Sequence, residues 1–470
     1  MVMGELPMES EVVVIGGGPG GYAAAFRAAD LGLDVTLISD EERLGGVCLL
    51  RGCIPSKTLL YQSELMRRVA EAEAMGLAYG EPSLDLERMR GWKEEVVARL
   101  SDGLAQLCRH RGVQWLRGRA RFQSSDTLRV EGEQATTLGF RHAILATGSR
   151  PRVPKPLQGG DRVWTSDEAL ALPEVPERLL VIGGGYIGVE MGTVYAALGS
   201  RVTLVQGGER LLPGADPDLV RPLRKRLEAD FEALHLQTRV EGLEEAEDGV
   251  RVRLGEADEP ERFDRVLVAT GRQPNGDDLG LENTDVEADD DGALQVDAQR
   301  KTADPRIYAV GDVAGGMQLA HKAMHEGRVA AEAVAGRAAA FDARAVPAVV
   351  YGDPQVAWCG LTEEEAKAGD RPVRVLRFPW EASGRAVSMG AGDGLTKLLV
   401  EPESGQVLGM GVVGREAETL IAEGALAVEM GAMAEDLART IHAHPTLAET
   451  VGEAAQLFLG GSSHLQGRSG

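Results

Sequence analysis

Two stretches of this chain repeat one pattern of apolar and polar positions. In the first, the apolar run Val12 to Ile15 leads into Gly16-x-Gly18-x-x-Gly21, a helical periodicity follows to Ala29, and a second apolar run spans Val35 to Ile38. In the second, Leu179 to Ile182 leads into Gly183-x-Gly185-x-x-Gly188, a helix to Ala197, and the run Val202 to Val205, at the same offset from first glycine to second strand. Short apolar runs bounded by glycine predict buried strands, and the helical period between them predicts a crossover helix. The glycines have separate tasks: the first permits a tight turn, the second lets backbone approach a pyrophosphate, and the third allows helix–strand packing, with the diphosphate at the helix N-terminus. One such frame arises by chance in a chain with 60 glycines. Two matched frames imply two dinucleotide sites.

Each frame later returns through a strand ending in Ala-Thr-Gly, Ala143 to Gly148 and Val266 to Gly271. A further run, Ile307 to Val310, meets Gly311-Asp312, where a carboxylate at a strand's C-terminal end can hold a sugar-like polyol. The proline-rich run Arg150 to Pro156 links the first unit to the second, and the acidic stretch Gly276 to Gly292 marks the return. After Pro347 the repeat ends, and the strand-like runs Lys397 to Val400 and Val407 to Val413, followed by a helical pattern from Glu416 to Met430, predict a C-terminal α+β domain. The expected fold is α/β, with two Rossmann-like domains at 1–150 and 151–271, a central domain at 272–345 that completes the first nucleotide site, and an interface domain at 346–470.

Composition narrows the function. A length of 470 residues allows several cores. The net charge of −23 argues against a nucleic-acid surface, which needs clustered Lys and Arg. Its plain reading is a solvated, self-repelling surface; adaptation to high salt is the other. The N-terminal segment lacks a basic region followed by a long apolar core, and no run approaches the roughly 20 apolar residues of a spanning helix, so the cytoplasm is the expected location and no membrane is expected. The four cysteines, Cys48, Cys53, Cys108 and Cys359, are too few for a secreted disulfide scaffold. A cytosolic disulfide would be chemical.

The candidate pair follows the first frame directly, in Gly45-Gly46-Val47-Cys48-Leu49-Leu50-Arg51-Gly52-Cys53-Ile54-Pro55-Ser56-Lys57. Two buried packing cysteines are the simpler reading of such a pair alone. On an ideal helix residues five apart sit roughly 8–9 Å apart, beyond disulfide reach, so a bridge requires a distorted segment, and Gly52 and Pro55 suit an irregular first turn. Cys53 then lies near a helix N-terminus, where orphan amides and Lys57 favour a thiolate. Thiol exchange and nicotinamide reduction need a mediator, and flavin supplies one, which assigns FAD to the first frame and a nicotinamide nucleotide to the second. A base is also needed. His444, beside Pro445 and five residues before Glu449, is the candidate, within one chain or across a subunit interface. Cys108 and Cys359 are expected to be packing residues, and His321 and His325 nucleotide-adjacent or structural.

These motifs resemble the pyridine nucleotide–disulfide oxidoreductase family over nearly the whole chain. The resemblance rests on the first glycine frame, the Gly45 to Lys57 segment, Gly183-Gly184-Gly185-Tyr186-Ile187-Gly188-Val189-Glu190, Ile307 to Asp312, and His442 to Glu449. It implies that Cys48 exchanges with substrate and Cys53 faces the flavin, that Lys57 and Glu190 pair at the flavin edge, that Asp312 holds the ribityl chain, and that Tyr186 borders the nicotinamide. His444 and Glu449 would come from the other subunit of a homodimer. Thr147, Gly148, Gln318, Leu319, Ala320, His321, Val240 and Gly271 are further expected cofactor contacts. The substrate it implies is dihydrolipoamide on a lipoyl-bearing protein, of a 2-oxo acid dehydrogenase or glycine cleavage complex. A glutathione-type reductase and a mainly structural docking subunit are the alternatives. Mercury- and thioredoxin-reducing members usually carry C-terminal cysteines, and none follows Gly460 here.

Two positions depart from the family. Ser39 and Gln206 end the second strands of the two frames where an acidic residue usually contacts adenosine ribose. Asp40 is a substitute for the first. No arginine directly follows Gln206, so a 2′-phosphate clamp is not evident there and NAD is the expected nucleotide.

Overall fold

The computed structural model describes residues 8–80, 82–133, 135–256 and 259–465. The seven residues before them and the five after lie outside that description, including parts of the N-terminal and tail segments read above.

The first apolar frame forms the strand Met8–Ile15, the helix Pro19–Asp30 and the strand Val35–Ser39. Met8–Ile15 lies between Val35–Ser39 and Thr136–Leu145, parallel to both, with Val13 opposite Thr36 and Ala143. Ile307–Ala309 pairs with the far side of Thr136–Leu145, so a strand remote in sequence completes this sheet and delivers Asp312 to its C-terminal edge. Val12, Val13 and Val14 are fully buried, as expected of a strand covered on both faces. One face packs against Pro19–Asp30, which is itself backed by the helix Ala320–Val334. Those two helices approach so closely that a Cβ at Gly327 would stand 2.4 Å from the Gly20 carbonyl oxygen.

The second frame builds an all-parallel sheet in the order Ala233–His235, Arg201–Val205, Arg178–Ile182, Arg265–Val268, Val163–Trp164, flanked by an antiparallel layer of Val240–Ala246, Gly249–Leu254 and Glu261–Phe263. Its crossover helix is Tyr186–Ala197. The start of the first link pairs with the residues just before the acidic return stretch: Ser149–Pro151 and Arg272–Pro274 form an antiparallel ribbon. The C-terminal part is a five-stranded antiparallel sheet, Ala348–Val350, Gln355–Gly360, Val407–Gly414, Leu395–Val400 and Arg374–Pro379, covered by the helices Ala417–Met430 and Glu449–Gln456. The fold is thus mixed α/β, with two dinucleotide-type parallel sheets and an α+β C-terminal part. Cys108 and Cys359 are buried in separate hydrophobic cores, as their packing role requires.

A buried ion cluster joins the second sheet's helix Pro217–Asp230 to the C-terminal sheet. The Lys397 ammonium, 1% exposed, donates to Asp216 at 2.6 Å, Asp218 at 2.7 Å and Glu363 at 2.8 Å. These three carboxylates have the spacing of a metal site, but the lysine already fills it. Burial works to raise the Asp218 pKa, yet hydrogen bonds from Lys397 and Arg377 outweigh it and hold the carboxyl below its usual range. Removing one partner of a buried pair leaves uncompensated charge. Lys397→Met should therefore cost about 3–5 kcal/mol, measured by denaturant unfolding. Because the folded pKa of Asp218 is depressed, its contribution is present above the normal carboxylate range and is lost as pH falls through the lowered value.

Candidate functional site

The two glycine frames use their glycines identically. At Gly16, with φ +116°, a Cβ would stand 2.2 Å from the Ala146 carbonyl oxygen; at Gly183, with φ +119°, it would stand 2.2 Å from that of Ala269. The Ala-Thr-Gly returns are therefore the surfaces on which the first glycines turn. At Gly21 and Gly188 a Cβ would lie 1.8 and 1.9 Å from the carbonyl oxygen of the frame's own first glycine. Gly18 and Gly185 differ: each is the N-cap of its helix with no side-chain cap, and a Cβ would meet only Gly46 Cα at 3.7 Å, or nothing within 4 Å. Helix-end amides facing open space fit a diphosphate in both frames.

A cleft of about 640 Å³ opens at the first of these helix ends. It gathers residues scattered through the sequence: Gly16, Gly18, Ser39, Asp40, Cys48, Cys53, Lys57, Thr147, Gly148, Tyr186, Glu190, Asp312, Gln318 and Ala320. Gly21, Leu319 and His321 do not line it. Leu319 caps the helix Ala320–Val334, and His321 contacts the Pro347 carbonyl oxygen at 2.7 Å. Ser39 is buried, with its Oγ 3.0 Å from where a Cβ of Gly17 would stand, while Asp40 is exposed at the cleft edge.

The cysteine segment is broken where the sequence predicts. A short helix Gly46–Arg51 ends at Gly52, φ −144° and ψ −112°, and a new helix starts at Cys53 and runs to Ala72. Any side chain at Gly52 would put Cβ 2.7 Å from the Val47 carbonyl oxygen and 3.2 Å from Cys48 Cα, so glycine lets the second helix fold back on the first. The helix Cys53–Ala72 buries Leu59 and Leu60 in the core shared by Val189, Met191 and Val194. That packing brings Lys57 to Glu190, with Nζ donating to the two carboxylate oxygens at 3.0 and 2.8 Å. Lys57 Nζ also lies 4.5 Å over the Tyr351 ring, and the Tyr351 amide donates to Glu190. Burial works against the Lys57 charge, but Glu190 outweighs it and raises the pKa.

Both thiols are free, and they are not equivalent. Cys48 donates a hydrogen bond to Cys53, which holds Cys53 down to about 7; burial opposes this, and Lys57 assists it. The same bond and the loss of solvent push Cys48 far up. The pairing and Lys57 together favour the negative charge on Cys53 over Cys48. In the reduced protein, thiolate absorbance lost on Cys53→Ser should rise through an inflection near pH 7. Lys57→Gln should move that inflection upward.

Sequence reading did not single out several residues that shape the cleft. Ser149 Oγ donates to Asp312 at 2.5 Å and accepts from Arg272 Nε at 2.8 Å, so the two-stranded ribbon orients the Asp312 carboxylate. Glu326, fully buried, accepts from the Gly311 amide at 2.7 Å and pairs with Arg300 and Lys322, which anchors the same turn. Arg51 bridges Glu41 at 2.6 Å and Asp167 at 3.3 Å across the cleft mouth. Only Asp312 itself, at the C-terminal end of the run Ile307 to Val310, was visible as a signal.

His444 lies elsewhere. It is 75% exposed, and its Nδ1 pairs with Glu449 at 2.8 Å. The second Glu449 oxygen accepts from the Thr446 amide at 2.7 Å, which with His444 overcomes the effect of burial and holds the carboxyl below its usual range. His442, by contrast, is nearly buried against Glu423 and serves the packing of this segment. Among the described residues no histidine lines the cleft. Gly183, Gly185, Gly188, Gln206, Val240 and Gly271 lie outside it as well, around the second sheet. There Gln206 Oε1 accepts from the Gly184 amide at 2.9 Å.

The sequence model of the pyridine nucleotide-disulphide oxidoreductase family matches residues 10–327, and that of the same family's dimerisation domain matches 346–455. The chain belongs to the pyridine nucleotide-disulphide oxidoreductase family. It is 46% identical over 466 residues to a dihydrolipoyl dehydrogenase of Vibrio parahaemolyticus, covering 97% of each chain. A dihydrolipoyl dehydrogenase of Haloferax volcanii is also 46% identical, over 478 residues and 100% of both chains. Among solved structures, LpdA from Mycobacterium tuberculosis superposes with a TM-score of 0.89 at 27% identity, covering 95% of this chain and 99% of that one. The HOCl-induced flavoprotein disulfide reductase RclA of Escherichia coli superposes with a TM-score of 0.85 at 28% identity, over 95% and 99%. Among the described residues, no helix of this family member is long and apolar enough to cross a membrane.

Proposed function

We infer that this chain is a dihydrolipoyl dehydrogenase, oxidising protein-bound dihydrolipoamide with FAD and NAD. The observation that carries the mechanism is the asymmetric Cys48/Cys53 pair at a helix start, beside the part-buried Lys57–Glu190 pair, in the cleft of the first glycine frame.

FAD would be held by the Gly16–Gly21 turn, with Ser39 and Asp40 toward its adenosine, Asp312 and the Gln318–Ala320 turn toward its ribityl chain, and Lys57 and Glu190 toward its flavin ring. NAD would be held by the Gly183–Gly188 turn, with Gln206 and Val240 toward its adenosine, Gly271 along the return, and Tyr186 toward the nicotinamide. When bound, FAD supplies a two-electron acceptor that passes hydride to the nicotinamide.

The chain's own residues supply the thiol chemistry. A thiolate of dihydrolipoamide attacks Cys48 Sγ of the Cys48–Cys53 disulfide; a substrate–Cys48 bond forms and Cys53 leaves as thiolate. The second substrate thiol then attacks the substrate sulfur of that mixed disulfide, closing lipoamide and releasing Cys48. The depressed pKa of Cys53 makes it the better leaving group, and Lys57 stabilises the charge it acquires. The two substrate protons need an acceptor, and the cleft has no histidine of its own. His444, paired with Glu449 and exposed on the dimerisation domain, is the acceptor we assign to the cleft of a second copy, which makes the working unit a homodimer. A lipoyl-bearing protein of a 2-oxo acid dehydrogenase or glycine cleavage complex is the partner this chemistry suits.

Assays offering dihydrolipoamide and reduced glutathione separately, each with NAD, test the substrate. Turnover with dihydrolipoamide alone is expected; turnover with glutathione alone would overturn the reading.

A further inference from the structure

A second cavity, of about 670 Å³, shares no lining residue with the cysteine cleft. It is lined by Gly207, Gln237, Arg239, Glu241, Arg253, Gly255 and Glu256. The cavity adjoins Gln206, the residue that ends the second strand of the nicotinamide frame: the Thr238 amide donates to the Gln206 carbonyl at 3.1 Å, and that of Gln237 to Gly208 at 2.9 Å. Arg239 reaches the same loop, its Cγ 3.6 Å from where a Cβ of Gly207 would stand. The Gly255 amide donates to the Arg239 carbonyl, and Arg253 is two residues earlier on the exposed face of Gly249–Leu254. Two arginines, Arg253 in one strand of a hairpin and Arg239 at the flank of the other, thus line one cavity beside the Gly207–Gly208 turn.

Three features of this corner favour an anion over a bare ribose. Gln206 is neutral, so the carboxylate that would repel a phosphate is missing. Its Oε1 is already used by the Gly184 amide, which leaves the amide nitrogen, a donor, facing the Gly207–Gly208 turn. Arg239 and Arg253 form no ion pair among the described residues, although Glu241 and Glu256 share the rim. A phosphate ester is acceptor-only and doubly charged, and paired guanidinium donors suit it.

We propose that this corner is a 2′-phosphate subsite, so that the protein accepts NADP as well as NAD. The proposal rests on the reading of the second glycine frame as the nicotinamide nucleotide's site. Gln206 and Arg239 set the specificity, and Arg253 adds charge at the rim.

The FAD-loaded enzyme should be titrated calorimetrically with adenosine 2′,5′-bisphosphate and with 5′-AMP, and assayed with dihydrolipoamide and each nucleotide. The bisphosphate is expected to bind at least as tightly as AMP, and kcat/KM for NADP to fall within about a hundredfold of that for NAD. Arg239→Gln should weaken the bisphosphate and lower kcat/KM for NADP by about tenfold or more, since hydrogen bonds to charged groups are the strong ones. Gln206→Glu should shift the NAD/NADP ratio toward NAD by a similar factor. AMP binding tenfold or more tighter than the bisphosphate, with Arg239→Gln changing neither, would overturn the proposal. Failure of dihydrolipoamide turnover with both nucleotides would instead count against the functional reading, while the titration would still report on the subsite.

Discussion

Replacing His444 with glutamine should lower dihydrolipoamide turnover by about 10²–10⁴-fold, the range for losing a positioned general base, while leaving FAD content and thermal unfolding near those of the parent. The imidazole is exposed and holds only Glu449, so the substitution removes chemistry without opening a core. Glu449→Gln should cost less, because the imidazole remains and loses only its orienting partner. The location of the base is tested by mixing. His444→Gln and Cys48→Ser homodimers are each expected to be inactive, yet a mixed dimer regains one intact site if the base crosses the interface, combining Cys48 of one chain with His444 of the other. Recovery of activity on co-expression is the predicted result. No recovery would place the base in its own chain's cleft, where no histidine is found among the described residues.

The second large effect concerns the cysteines. Cys48→Ser and Cys53→Ser should each abolish dihydrolipoamide oxidation, because exchange needs both sulfurs of the bridge. The two variants should differ in every other respect. Cys48→Ser keeps the thiol at the helix start beside Lys57, whose charge favours the thiolate, whereas Cys53→Ser keeps only Cys48, a thiol that burial pushes up.

How much of this was legible in the chain follows from the range of the forces. The glycine turns depend on contacts within one βαβ unit, so the tasks of Gly16, Gly18 and Gly21 were readable, and their repetition at Gly183, Gly185 and Gly188 confirmed the period. The helix break at Gly52 was readable for the same reason: disulfide reach forbids a regular helix between residues five apart. The pairing of Lys57 with Glu190 came only from the family resemblance, since it depends on how the cysteine helix packs on Tyr186–Ala197. The Ser149–Arg272 support of Asp312 and the buried Glu326 were not readable, because they join segments whose neighbourhood is decided by the whole fold. Gln206 shows the limit most clearly. Its neutrality was plain, but the arginines near it come much later in the chain, Arg239 just before Val240–Ala246 and Arg253 within Gly249–Leu254, and no arginine adjoins it in sequence.

The central claim is the division of labour between Cys48, which meets substrate, and Cys53, which meets flavin. Anaerobic reduction of the FAD-loaded protein, followed by its long-wavelength thiolate–flavin absorbance, tests it most directly. The band should appear in the parent, persist in Cys48→Ser as a resting thiolate, and be missing from Cys53→Ser. A band that survives in Cys53→Ser and vanishes in Cys48→Ser would contradict the assignment.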